Sequence, residues 1–188
     1  KTSTAPMARS SKWRHCLPPP GTTARLRDWL REPGSLTARL QGCGRFRLKL
    51  LRQSLHRANA DEEALLALPS HARCWVREVL LHCDDVPVIF AHTVLPAEPR
   101  GVLSRWFAGL GGRSLGSLLF AHPGFVRGPL TFARIDRRHP LYAHAEAALG
   151  VSPPHFLARR CAHGFGQQRV VVTEVFAAGI ASLRLAAR

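Results

Sequence analysis

The stretch Val170-Val171-Val172-Thr173-Glu174-Val175-Phe176 is a β-branched and aromatic run with one carboxylate inside it. Such a run reads as a buried strand. A second apolar run, Cys74-Trp75-Val76-Arg77-Glu78-Val79-Leu80-Leu81, is interrupted upstream by a guanidinium. Burying a charge is costly unless it has a partner or a task. Strand alternation puts Trp75, Arg77, Val79 and Leu81 on one face, and Val170, Val172, Glu174 and Phe176 on one face. Both charges therefore share a side with bulky apolar residues. That arrangement calls for a closed cavity with a cation at one end and an acid at the other, suited to a small organic anion. Two blander arrangements would also satisfy the pattern. Arg77 and Glu174 could pair with each other, or both could face water from edge strands.

The rest of the chain supplies a sheet around these runs. Thr22-Thr23 can cap a helix over Ala24–Arg31, with Leu26, Trp29 and Leu30 on one stripe, and Pro33-Gly34 ends it. Ser35 starts a short helix over Leu36–Leu40, closed by Gly42 and Gly44. Arg45–Leu51 alternates basic and apolar residues as a half-exposed strand does. Arg52–Pro69 reads as a connection, with a solvated helical turn at Asp61-Glu62-Glu63. Arg73–Cys83 and Pro87–Leu95 form a hairpin about Asp84-Asp85-Val86. Helices are expected over Val102–Leu110 and Ser114–Phe120, and a strand over Leu130–Asp136. Arg137–Pro154 reads as a polar insertion with a weak helix at His144–Leu149. A terminal hairpin then joins Phe156–His163 to Gln167–Phe176 around Gly164-Phe165-Gly166. Hairpins outnumber helical crossovers, so the expected class is α+β, a single antiparallel sheet with helices and loop flaps over an internal cavity.

At 188 residues the chain suits one domain. It is expected to span residues 13–179, preceded by a disordered or vector-derived lead over 1–12, with Met7 as the natural start, and followed by a tail over 180–188. No apolar run reaches the roughly 20 residues of a membrane span, so a cytoplasmic monomer is expected. Five cysteines without a paired spacing read as reduced thiols, mostly small core residues. The net charge is +15, and of 27 basic residues only Lys1, Lys12 and Lys49 are lysine. The arginines scatter along the whole chain and nowhere interleave with aromatics, which argues against a single-strand nucleic-acid surface. A field of this sign draws anions inward.

Other motifs carry less. Gly112-Arg113-Ser114-Leu115-Gly116 matches a nucleophile elbow, but the residues before it read as helix rather than strand. It serves better as a glycine-rich turn opening a helix, whose free N–H groups suit a carboxylate. Gly34-Ser35-Leu36 offers the same geometry. Ten histidines, among them His71, His92 and His163, fall into no metal-ligand spacing, and no phosphate-binding loop is present.

Several segments, in order, resemble the chorismate lyase family. They are Asp28-Trp29-Leu30, Gly34-Ser35-Leu36-Thr37, the Cys74–Leu81 run, Thr93-Val94-Leu95-Pro96, Leu115-Gly116-Ser117-Leu118-Leu119-Phe120, and Thr173-Glu174-Val175-Phe176. The resemblance covers about residues 13–178. It implies removal of pyruvate from chorismate to leave 4-hydroxybenzoate, the step that opens ubiquinone synthesis, with no metal or cofactor. By the same resemblance Arg77 grips the ring carboxylate, the backbone amides of Leu36 and Leu115 assist, and Glu174 meets the ring hydroxyl. It implies further that His92 stands in the outer part of the site, where the family often has arginine. Leu36 stands where methionine is common, and the 137–154 segment is longer than the family suggests. Two rivals remain open at this stage: a non-catalytic domain of the same fold that senses small acids, and a basic nucleic-acid-binding protein.

Overall fold

Seven strands hydrogen-bond antiparallel into one sheet, ordered β1-β2-β3-β7-β6-β4, with β5 pairing β6 beside β4. They are β1 (Phe46–Arg57), β2 (Arg73–Cys83), β3 (Val86–Pro96), β4 (Phe125–Arg127), β5 (Thr131–Ile135), β6 (Phe156–Phe165) and β7 (Gln168–Phe176). The helices are α1 (Ala24–Arg31), α2 (Leu36–Gln41), α3 (Ala60–Leu66), α4 (Val102–Ala108) and α5 (Pro140–Leu149), with a 3₁₀ turn over Ala178–Ser182. A computed structural model describes residues 13–17, 22–97, 101–116, 119 and 123–185; the expected lead over 1–12 lies outside them. The α+β class with one antiparallel sheet is as the sequence implies.

The strand hairpins have local causes. β2 and β3 turn on Asp84 and Asp85, both at positive φ (48° and 66°), the backbone twist that a two-residue hairpin requires. The Asp84 carboxylate also accepts from the Arg45 N–H at 2.9 Å. β6 and β7 turn at Gly166-Gln167, with Phe165 opposite Gln168, so the turn lies two residues later than its glycines suggest.

Alternation gives the sheet two different faces. On the front, α1, α2 and the 3₁₀ turn pack Trp29, Leu30, Leu40 and Ile180 against Val79, Leu81, Ile89 and Phe176. Thr23 caps α1 by accepting from the Leu26 N–H at 3.2 Å. The helix α4 adds Leu103 and Phe107 against Leu95 and Val170 on the same face. On the back, α5 sets Tyr142, Ala145 and Leu149 against Leu80, Phe90 and Val175. The helix α3 sets Leu66 against Val76, Val94 and Val171 there.

Four expectations need correction. β1 runs to Arg57 rather than stopping at Leu51, because every residue from Arg52 on finds a partner on β2, as far as Arg57 opposite Arg73. The Asp61-Glu62-Glu63 turn belongs to a real helix, and Glu62 on it is fully buried. The 137–154 segment is no polar insertion: ten of its residues are α5, which buries Leu141, Tyr142, Ala145 and Leu149. Finally, Ile180 is buried in the front core, so the packed unit reaches past residue 179. Cys74, Cys83 and Cys161 are buried, Cys43 is half-buried and Cys16 is exposed.

Candidate active site

The front face of β2, β3, β7 and β6 forms the floor of a cavity, and its registers fix which side chains share it. Arg77 lies opposite Thr93, and Thr93 opposite Val172. One row further, Val79 lies opposite Ala91, Ala91 opposite Glu174, and Glu174 opposite Arg159. Arg77 and Glu174 are thus two strands apart, about 10 Å at the usual inter-strand spacing. Between them β3 sets Thr93 and Ala91 on the front. Two small side chains between two charged ones leave a hollow, and all four line it.

Arg77 is 2% exposed. Its Nη1 donates to Gln53 Oε1 at 2.6 Å, and its Nη2 donates to the carbonyls of Gly111 and Arg113 at 2.7 and 3.0 Å. Gln53 is itself fixed, donating from Nε2 to the Phe107 carbonyl at 3.1 Å. No carboxylate among the described residues pairs with Arg77. Burial pulls its pKa down, but a guanidinium keeps its proton in any protein setting.

Glu174 accepts from Arg159 Nε through Oε2 at 2.5 Å. The Arg159 Nη1 donates to the Glu32 carbonyl at 2.8 Å, which ties this end of the floor to the segment after α1. Arg77 and Glu174 therefore do not neutralise each other, and the pairing alternative fails.

The roof comes from two short segments. Leu36 opens α2 and Leu115 opens a helical turn after the Gly111-Gly112 bend, and both line the cavity. Their N–H groups precede the repeating hydrogen bonds of a helix. The two segments meet through Thr37 Oγ1 and Ser114 Oγ, 2.8 Å apart. Ser114 is committed to this bridge, consistent with a turn rather than a nucleophile elbow.

His92 is not in the cavity. Its neighbours Ala91 and Thr93 face the front, so alternation turns His92 to the back. There its Nδ1 lies 3.0 Å from Glu78 Oε1 and its Nε2 lies 3.3 Å from Glu62 Oε1. Burial pushes the imidazole down, but the Glu62 and Glu78 carboxylates outweigh it and hold His92 up at about 9. It is an imidazolium buried behind the sheet, with no path to a ligand on the front.

Three cavity residues escaped sequence reasoning: Arg127, Arg159 and His163. Arg159 was within reach, since counting back from a turn at Gly166-Gln167 pairs 159 with 174. Arg127 sits on β4, a three-residue strand too short to show a period. Its strand lies close on β6 because Gly128 has no side chain: a Cβ there would stand 2.9 Å from the Ala162 carbonyl oxygen. His163 is opposite Arg127. Burial, with Arg127 beside it, pushes the His163 imidazole down to about 4, so it is neutral near pH 7.

An antiparallel sheet that encloses a cationic cavity under two short helix starts defines a small-acid-binding α+β domain. The chain belongs to the chorismate lyase family, whose family model matches residues 13–182. A "Probable chorismate pyruvate-lyase" of Dechloromonas aromatica (strain RCB) is 52% identical over 177 residues, which is 94% of this chain and 99% of that protein. A protein of the same description from Aromatoleum aromaticum is 44% identical, covering 89% of this chain and 92% of its own. Among solved structures, the C-terminal domain of a histidine utilization repressor from Pseudomonas syringae pv. tomato superposes with a TM-score of 0.56. It is 14% identical and covers 77% of this chain and 98% of that one. The effector domain of PhnF from Mycobacterium smegmatis gives 0.52 at 18% identity, covering 76% and 88%. These two likenesses establish the fold alone. No helix among the described residues is long and apolar enough to cross a membrane.

Proposed function

We propose that this protein is a chorismate pyruvate-lyase that uses no cofactor, with Arg77 holding the ring carboxylate and Glu174 the ring hydroxyl. The observation that carries this reading is the bonding of Arg77. A buried cation held only by neutral oxygens lacks its counter-charge, and leaving an ion so costs several kcal/mol. A ligand carboxylate supplies the missing charge through the planar fork that guanidinium offers. The amides of Leu36 and Leu115 stand at the roof to share that carboxylate.

The reaction asks little of the protein beyond orientation and polarisation. The C3–O bond breaks and its electron pair leaves with the enolpyruvyl group. The C4 proton departs, and its bonding pair closes the third double bond of the ring. The proton taken up at the enolpyruvyl methylene completes pyruvate, and 4-hydroxybenzoate remains. Glu174 has its Oε2 occupied by Arg159, which leaves Oε1 to accept from the C4 hydroxyl. In this reading Glu174 is an anchor, and the leaving group collects the proton.

The test is direct. Purified protein incubated with chorismate should generate the ultraviolet absorbance of 4-hydroxybenzoate and an equimolar amount of pyruvate. Arg77→Ala should abolish pyruvate release at moderate substrate concentration while circular dichroism stays unchanged. Undiminished turnover by that variant would end the assignment. Binding of chorismate without turnover by the unaltered protein would favour instead a non-catalytic domain of this fold that senses small acids.

A further inference from the structure

Chorismate carries two carboxylates, one on the ring and one on the enolpyruvyl group that leaves. Arg77 accounts for the first, and with His92 behind the sheet the second has no partner assigned. The chemistry of the substrate says where that partner must be. The ring carboxylate is on C1 and the hydroxyl on C4, so the axis from Arg77 to Glu174 is the long axis of the ring. The enolpyruvyl ether is on C3, next to C4. Its carboxylate therefore falls at the Glu174 end of the cavity and to one side.

Three basic side chains line the cavity on its β6 and β4 side, beyond β7: Arg159, His163 and Arg127. Arg159 is committed, with its Nε on Glu174 and its Nη1 on the Glu32 carbonyl. His163 is buried in its neutral form and brings no charge. Arg127 brings one. It stands across the β4–β6 pair from His163, and its Nη1 donates to the Pro33 carbonyl in the turn between α1 and α2. The guanidinium is thus held at the wall where the segment before α2 meets β6, one strand beyond the Glu174–Arg159 pair.

We propose that Arg127 receives the enolpyruvyl carboxylate of chorismate and so separates the substrate from its aromatic product. This assignment rests on the reading of the cavity given above. It makes Arg127 the residue that orients the C3–O bond for cleavage, because the two arginines and Glu174 together fix three points of the substrate. It also gives a reason for asymmetry between substrate and product. The product keeps the contacts to Arg77 and Glu174 but has nothing left for Arg127.

That asymmetry is the test. Arg127→Gln and Arg127→Lys are compared with the unaltered protein for KM and kcat on chorismate, and for the Kd of 4-hydroxybenzoate by calorimetry. A lost charge-assisted hydrogen bond corresponds to a weakening of about 10- to 100-fold. Arg127→Gln should therefore raise KM for chorismate by about that factor, with Arg127→Lys recovering part of it. The Kd of 4-hydroxybenzoate should move less than about two-fold, which also shows that the variant is folded. Equal weakening of both ligands would make Arg127 a structural residue and overturn the proposal, as would no change in either. Arg77→Met serves as the control for the underlying reading, since it should weaken both ligands. If it leaves both unchanged, the ring axis is wrong whatever Arg127 does.

Discussion

Three arginines are buried on the strands of this sheet, and they differ in what answers their charge. Arg159 has Glu174. Arg160, on the back, has Asp61 at 2.7 Å and Glu62 at 3.5 Å, and stacks over the Trp13 ring. Arg77 has Gln53, an amide whose oxygen orients the guanidinium without cancelling it. Replacing Gln53 by Glu would put a carboxylate where that oxygen now sits and fill the role proposed above for the ligand carboxylate. The Kd of 4-hydroxybenzoate should rise at least about ten-fold in Gln53→Glu, as a competing ion pair of about 1.4 kcal/mol requires. The Kd of the uncharged 4-hydroxybenzamide should stay where it is. Calorimetry with both ligands checks this, and an equal loss for both would mean that Gln53 shapes the cavity rather than its charge. Arg77 and Glu174 were legible in the sequence because each is a charge inside an apolar run. Gln53 was not, because it sits in the polar half of an edge strand, where one more amide carries no signal. Arg159 and Arg160 were hidden by register, since a turn misplaced by two residues also misplaces the partner of Glu174.

The elements that frame the cavity were easier to read than those that support it from behind. α1, α2 and the β2–β3 hairpin have caps, turn residues and apolar periods in plain view. The second half of β1 has none, and forms because β2 offers it a full ladder of partners. The capping box of α3 is visible as Asn59 with Glu62 three residues on, Glu62 Oε2 accepting from the Asn59 N–H at 2.9 Å. What the sequence hides is that the same Glu62 points into the sheet to meet Arg160 and His92. α5 starts at Pro140, its first turn capped by His139 Nδ1 accepting from the Leu141 N–H at 3.1 Å, and stops at Gly150 with φ 70°. Its stripe of Leu141, Tyr142, Ala145 and Leu149 is apolar but small, and arginines before it and a proline pair after it suggest an insertion. Packing shows otherwise. Leu141→Ala should cost about 3 kcal/mol, within the usual range for a buried leucine, read as a lowered urea midpoint with an unchanged slope. Because α5 lies on the back, the folded variant should bind 4-hydroxybenzoate as before. A cost below about 1 kcal/mol would return the segment to the status of a dispensable insertion.

The whole molecule carries +15, yet its sheet separates two uses of charge. The front encloses a hollow lined by Arg77, Arg127 and Arg159, with Glu174 as its carboxylate. The back closes a network in which Glu78 accepts from His92, His144 and Arg52, while Glu62 and Asp61 hold Arg160. The front depends on an arginine that never titrates and a histidine that is already neutral; the back depends on groups that do titrate, and so sets how stability varies with pH. Burial pushes the Glu78 carboxyl up, but hydrogen bonds from His92 and His144 bring it down to about 2. With a folded value below the unfolded one near 4.5, its contribution is present above pH 4.5 and is lost as pH falls toward 2. His163, depressed to about 4, likewise contributes above 6.5 and loses that as pH falls. His92 runs the other way. Its folded value of about 9 exceeds the unfolded 6.5, so its contribution is complete below 6.5 and is lost as pH rises to 9. Stability should therefore peak near pH 6.5. Urea unfolding at pH 6.5 and at pH 8.5 should differ by about 2 kcal/mol in the unaltered protein, the linkage expected for such a raised group. In His92→Gln the protein should be less stable at pH 6.5, with most of the difference between the two pH values gone. If the variant keeps the full slope, the alkaline loss comes from elsewhere, and His92 is not the charge that the back of the sheet was built around.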